Sequence, residues 1–274
     1  MKRIAKEELH SIYYKRFSQV HKFLTENHIT YYAIGGTLLG AIRHDGFIPW
    51  DNDMDLGMPR KDYEEFLKIA DKLDGRYFKL INYRIRSKVE HPISKLALCG
   101  VKKEHSRLGR GFDNHYHIDI FPIDFILRDK VKQRKTADRV SFYKKVFFVK
   151  SRALNNRNLL KRTVLFLLKL LCVFWPLKRV CREYDSLVCC QNKEGLLNFE
   201  YMWTSGGIYS FEKELHKTTT YGIPKLHRFG PCEICIPNDS DAFLKNTYGA
   251  DYMTPYNRNP DEVFDCILTD EFVD

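Results

Sequence analysis

An apolar run from Ile29 to Ile34 breaks at Gly35-Gly36, and a second stretch, Asp51-Asn52-Asp53-Met54-Asp55-Leu56, leads with alternating aspartates into another short apolar run. The first run reads as a buried strand ending in a glycine turn. In the second, aspartates take every second position, so an extended backbone carries Asp51, Asp53 and Asp55 on one face. Carboxylates that close repel one another unless a cation lies between them. A hard divalent ion such as Mg²⁺ is usually held by one or two carboxylates together with substrate phosphates. Two glycines let backbone N–H groups approach a phosphate, and Thr37 is expected to cap the following helix, whose dipole favours an anion. Either half alone also suits a plain turn or a solvated strand edge. Both within one short stretch, separated by Arg43 and His44, are the minimum equipment for phosphoryl chemistry.

The whole stretch runs Gly-Gly-Thr-Leu-Leu-Gly-Ala-Ile-Arg-His-Asp-Gly-Phe-Ile-Pro-Trp-Asp-Asn-Asp-Met-Asp from Gly35 to Asp55. It resembles the LicD family, which includes the fukutin-related proteins and whose pattern is roughly Gly-Gly-Thr-Leu-Leu-Gly-Ala-x-Arg-His-x-Gly-Phe-Ile-Pro-Trp-Asp-Asp-Asp-x-Asp. The one departure, Asn52, points away from the Asp51/Asp53/Asp55 face of a strand. Ile118-Asp119-Ile120-Phe121-Pro122-Ile123-Asp124 resembles the family's second motif. A carboxylate among such apolar neighbours is metal-bound, paired or costly.

The resemblance implies an α/β (α+β) fold, a nucleotidyltransferase-like mixed sheet flanked by helices, here with an inserted basic helical segment. It also implies metal-dependent transfer of a phospho-substituent, with phosphocholine from CDP-choline favoured. The acceptor would be a hydroxyl of a cell-surface glycan or its lipid-linked precursor, and CMP would leave. Asp53, Asp55 and Asp119 are then expected to hold Mg²⁺ or Mn²⁺, with Asp51 a direct or outer ligand, and Asp119 to ease deprotonation of the acceptor. Gly35, Gly36 and Thr37 would bind phosphate oxygens, while Arg43 and Lys95 neutralise growing charge. His44 would donate to phosphate or serve as a structural histidine at a helix end, and Asp124 would cap or orient a turn. Two rivals use the same parts differently: a nucleotidyltransferase releasing pyrophosphate, and a non-catalytic, membrane-associated scaffold retaining the fold.

The formal net charge of +10 over 274 residues is concentrated in one segment. From Val140 to Arg182 there are eleven Lys or Arg and no Asp or Glu, which leaves 34 basic residues against 35 acidic ones elsewhere. Such a segment calls for a local anionic partner. Within it, Thr163 to Trp175 is apolar apart from Thr163 and Lys169, and as a helix spans about 20 Å, short of the roughly 30 Å of a bilayer core. An interfacial helix on anionic lipid is favoured over a core helix. Nucleic acid is not expected, because Leu and Phe clusters serve it poorly compared with stacked aromatics. The opening Met1-Lys2-Arg3-Ile4 is no apolar leader, so the expected location is the cytoplasm or the inner face of its membrane.

Boundaries are expected at 1–128 for a catalytic core, 129–195 for the basic segment and 196–274 for a part completing the domain. Apolar spacing predicts helices over Ala5–Asn27, Thr37–His44, Arg60–Leu73, Lys130–Asn155 and Asp239–Tyr248. Strands are expected at Tyr77–Tyr83, Ile93–Val101, His115–Ile126, Thr219–Ile223 and Cys232–Pro237. Gly109-Arg110-Gly111 reads as a mobile substrate loop or a plain hairpin connection. Glu200–Tyr209 reads as a substrate-lining loop or a turn between strands. Trp50, Tyr116, Tyr201 and Trp203 are candidates for a choline pocket. Of the eight cysteines, Cys189-Cys190 and Cys232-Glu-Ile-Cys235 could in principle bind zinc, but reduced thiols are the expectation.

Overall fold

The computed structural model describes the chain except residues 86–88, 90, 105–108, 110–111, 127, 155–157, 190–199 and 256–264. After the short strand β1 (Lys2–Arg3), the amphipathic spacing of Leu9, Ile12, Tyr13, Phe17, Val20 and Leu24 forms helix α1 (Lys6–Glu26), which buries that face. Then follow β2 (Tyr32–Ala33), α2 (Gly35–His44), β3 (Met54–Pro59), α3 (Arg60–Ile69), β4 (Phe78–Ile81), β5 (Ser94–Lys103) and β6 (His115–Ile126). Three helices come next: α4 (Lys130–Ser151), α5 (Leu159–Leu171) and α6 (Leu177–Cys189). The remainder alternates short pieces: β7 (Tyr201–Trp203), α7 (Phe211–Glu214), β8 (Leu215–Lys217), α8 (Thr218–Tyr221), β9 (Lys225–Phe229), β10 (Cys232–Ile236), α9 (Ser240–Tyr248) and β11 (Cys266–Leu268).

The main sheet runs β1-β11-β5-β6-β3-β2, with β4 also on β5. Among the described residues only the β3–β6 pairing is parallel, so the sheet is mixed and the fold is α/β. At 12 residues, β6 is long enough to serve two partners. Its first part lies between β3 and β5, while Asp124–Ile126 pair with β7. Two apolar cores result. One lies between the sheet, α1, α2 and α9; the other gathers Val140, Phe147, Val180, Cys181 and Tyr184 of α4 and α6 against Ile126 and Trp203.

Several expectations change. The strand read from Ile29 shortens to Tyr32–Ala33, and Thr219–Ile223 is not a strand, since Thr218–Tyr221 makes one helical turn closed by Gly222 at φ +50°. Helix α2 begins at Gly35, so Thr37 lies inside it and does not cap it; the cap position is Ile34. Asp124 serves a role beyond the turn expected of it. It is buried, and its carboxylate takes a bidentate pair from the Arg60 guanidinium, at 2.7 Å to each oxygen. Tyr116 and Trp203 are core residues. Cys232 and Cys235 stand three apart on β10, on opposite faces, and Cys190 lies outside the described residues. The Gly109-Arg110-Gly111 expectation also falls largely outside them; Gly109 itself donates its N–H to the Ser151 carbonyl.

Candidate active site

The centre of the site is a row across three strands. Asp55 on β3 pairs with Asp119 on β6, and Asp119 pairs with Lys95 on β5. Residues directly paired across strands share a face, so register alone brings two carboxylates and an ammonium together. Asp51 and Asp53 do not belong to the strand, which starts at Met54. They sit on the segment that leads into it, where Asp53 is exposed and Asp51 half-buried. The alternation expected from the sequence therefore holds in the strand for Asp55 alone.

The glycine turn faces these acids. A Cβ on Gly35 would stand 3.1 Å from Asp55 Oδ2, and one on Gly36 only 2.6 Å from Asp51 Oδ2. Gly35 also has φ +54°, a conformation that costs other residues strain. Thr37 contributes differently from the cap expected of it: its Oγ1 accepts the Asp55 N–H at 2.8 Å and locks α2 to β3. Burial, followed by Asp53, Asp119 and Asp51, raises the Asp55 carboxyl well above the usual carboxylate range, and Lys95 opposes this.

Lys95, His117 and Asp119 form a compact cluster. His117 Nδ1 donates to the His115 carbonyl at 2.9 Å, which leaves Nε2 to accept from Lys95 Nζ at 2.7 Å. Burial, then Lys95, lowers the His117 pKa, consistent with a neutral ring. Lys95 Nζ is 3.2 Å and His117 Nε2 3.3 Å from Asp119 Oδ1. Yet this buried oxygen accepts no hydrogen bond. A buried carboxylate oxygen that is ion-paired with Lys95 but takes no hydrogen bond, beside further carboxylates and a glycine cradle, suits a hard cation with oxygen ligands. Among the described residues no three His, Cys, Asp or Glu side chains enclose an ion by themselves. The protein would thus supply part of a coordination shell, and water or phosphate the rest. Asp55 and Asp119, paired across the strands, would be its core, with Asp53 and Asp51 the further candidate ligands.

Arg43 and His44 lie at the other end of α2, roughly 10 Å of helix from Gly36. Arg43 donates from Nη1 to the Tyr252 carbonyl at 2.8 Å and from Nε to His44 Nε2 at 3.0 Å. His44 packs edge-on to Trp50, ring centroids 6.1 Å apart.

Sequence reasoning missed His117, Tyr13 and Tyr248, and reached Tyr209 only as the end of a candidate substrate-lining loop. His117 stood only within the strand expected at His115–Ile126. Tyr13 donates its hydroxyl to the His117 carbonyl at 3.0 Å; burial, with Asp53 and Asp119, keeps that phenol protonated. Tyr209 and Tyr248 pack edge to face at 5.5 Å, and Asp55 and Asp51 are among the charges that raise both phenols, after burial. The available signals were slight: Tyr209 follows Gly206-Gly207, and Tyr248 precedes the glycine ending α9.

A mixed sheet presenting paired carboxylates to a glycine turn at a helix start defines a nucleotidyltransferase-like domain. Residues 28–161 match the family described as LicD/FKTN/FKRP, nucleotidyltransferase domain, so the chain carries a LicD-family domain there. It is 39% identical over 69 residues to the lipopolysaccharide cholinephosphotransferase LicD of Haemophilus influenzae, covering 25% of this chain and 26% of that protein. It is 31% identical over 108 residues to the ribitol 5-phosphate transferase FKRP of Mus musculus, covering 39% and 19%. An uncharacterized protein of Rickettsia typhi is 39% identical over 84 residues, 31% of this chain and 25% of the relative. The matched stretches thus span about a quarter or less of these relatives' own lengths.

Proposed function

We propose that the protein is a metal-dependent phosphotransferase that moves a phospho-substituent from a CDP-linked donor, CDP-choline being favoured, to a hydroxyl of a glycan acceptor. The observation that carries this reading is the Asp55–Asp119–Lys95 row facing the glycine turn. Similarity to a cholinephosphotransferase and a ribitol 5-phosphate transferase supports the reaction class. Backbone N–H groups at Gly35 and Gly36 would bind phosphate oxygens at the start of α2. Lys95, held by the neutral His117 ring, would face the charge that grows on the leaving phosphate. Asp119 would receive the acceptor's proton. A bound Mg²⁺ would neutralise the diphosphate. Tyr209 and Tyr248, near enough to Asp55 and Asp51 to feel their charge, would offer aromatic rings to a quaternary ammonium.

The test is CMP release from CDP-choline and a panel of other CDP-linked donors, with Mg²⁺ and with chelator. Release should require the ion, and Asp55→Asn and Asp119→Asn should each lower kcat/KM at least about a hundredfold with an unchanged circular dichroism spectrum. Pyrophosphate from a nucleoside triphosphate, with no CMP from any CDP-linked donor, would replace this reading with nucleotidyl transfer.

A further inference from the structure

Helix α5 is apolar, yet of its residues only Leu165 is buried. Leu159, Leu167, Leu170 and Leu171 stand open to solvent, and the following turn adds Phe174, 88% exposed, and Trp175. From α4, Phe142 meets Trp175 at 6.0 Å between ring centroids, which joins the two surfaces. Between α4 and α5 an open groove of about 810 Å³ is lined by Phe148, Leu160, Val164 and Leu168, with Lys145 and Lys161 beside them. Apolar patches this continuous are uncommon on a monomer's free surface and mark a contact.

Charge identifies what makes the contact. The patch lies in the stretch with eleven basic residues and no acid, and exposed Lys145, Lys161, Arg162, Lys178 and Arg182 surround it in sequence. The nearest acids along the chain are already engaged, Asp138 with Arg134 at 3.3 Å and Glu183 with Arg179 at 2.8 Å. A second copy of the chain would bring the same positive charges face to face. The occupant must accept apolar side chains and carry negative charge around them. We propose that α4, α5 and the turn into α6 dock on an anionic phospholipid surface, with α5 lying in the headgroup plane. Among the described residues no helix is long and apolar enough to cross a bilayer, so the helix would lie on it. Trp175, in the turn after α5, suits the headgroup level.

This surface reaches the candidate site by one link. Lys144, on the groove, donates to the Gly207 carbonyl at 2.5 Å, in the loop that leads to Tyr209. Docking would therefore set the aromatic wall of the site at a defined distance from the bilayer.

The test is sedimentation of the full chain with vesicles of phosphatidylcholine, with and without phosphatidylglycerol. Binding should need the anionic lipid and weaken at least about tenfold between low salt and about 0.5 M salt. The double variant Leu167→Glu/Leu170→Glu, altered only at exposed positions, should keep its melting curve and lose at least about tenfold in partition. Lys161→Gln should cost roughly fivefold on anionic vesicles alone. Failure of the wild-type chain to sediment with phosphatidylglycerol vesicles at low salt would overturn the proposal. So would equal binding to neutral vesicles or undiminished binding of the double variant. A dimer that the double variant dissolves, without vesicle binding, would assign the face to self-association instead.

Discussion

At the scale of single residues, the site depends on what is missing as much as on what is present. Gly36 has no side chain where Asp51 Oδ2 comes within 2.6 Å of a Cβ position. Gly36→Ala must push that carboxylate aside, and a displacement of this size is expected to lower turnover about a hundredfold while leaving thermal stability nearly unchanged. A different single residue controls behaviour in acid. His216 stacks on Phe243 at 3.8 Å, its Nε2 has no hydrogen-bond partner, and burial lowers its pKa from 6.5 to about 4. The unfolded chain therefore binds the extra proton between those values, so stability falls as pH drops from about 6.5 toward 4. His216→Phe should remove this dependence. Urea titrations should show the variant gaining about 2 kcal/mol over wild type at pH 5 relative to pH 8. The acids and glycines of the site were legible because their chemistry is local to a few neighbouring positions. His117 and Tyr13 were not, since their roles arise from hydrogen bonds between elements far apart in the chain.

Among elements, the parallel contact of β3 with β6 is secured from behind by Arg60 at the start of α3. Besides Asp124 on β6, its Nη1 reaches Asp185 on α6 at 2.9 Å, so one guanidinium ties three elements across the junction of the two cores. Both carboxylates hold it firmly protonated. Replacing either partner strands a buried charge, and Arg60→Ala is expected to cost about 3–5 kcal/mol by chemical denaturation. Arg60→Met/Asp124→Leu, which removes charge on both sides, should recover part of that loss. Element types were largely readable: α1, α3, α4 and α9 follow their apolar spacing, and Asp239 caps α9 through the Ala242 N–H as its position suggested. The short pieces after β7 were not, because an isolated turn such as Thr218–Tyr221 is fixed by tertiary contacts and not by propensity.

For the whole molecule, sequence alone could indicate the two acidic segments but not their register. Pairing of Asp55 with Asp119 depends on how far β6 slides along β3, and a shift of one position would send one carboxylate to the opposite face. That register is supported from the far side of the sheet. Strand β11 lies between β1 and β5, with Leu268 opposite both Lys2 and Val101. Ile267→Pro, which removes a ladder donor there, is expected to cost about 3 kcal/mol and should appear as a lowered melting temperature. The same arrangement has a consequence for biogenesis. Cys266–Leu268 must leave the ribosome before this sheet can close, so β5 and β6 spend much of synthesis with an open flank. Chaperone protection, or slow post-translational maturation, is then the natural companion of such a topology, whose β1–β11 pairing joins segments far apart in the chain.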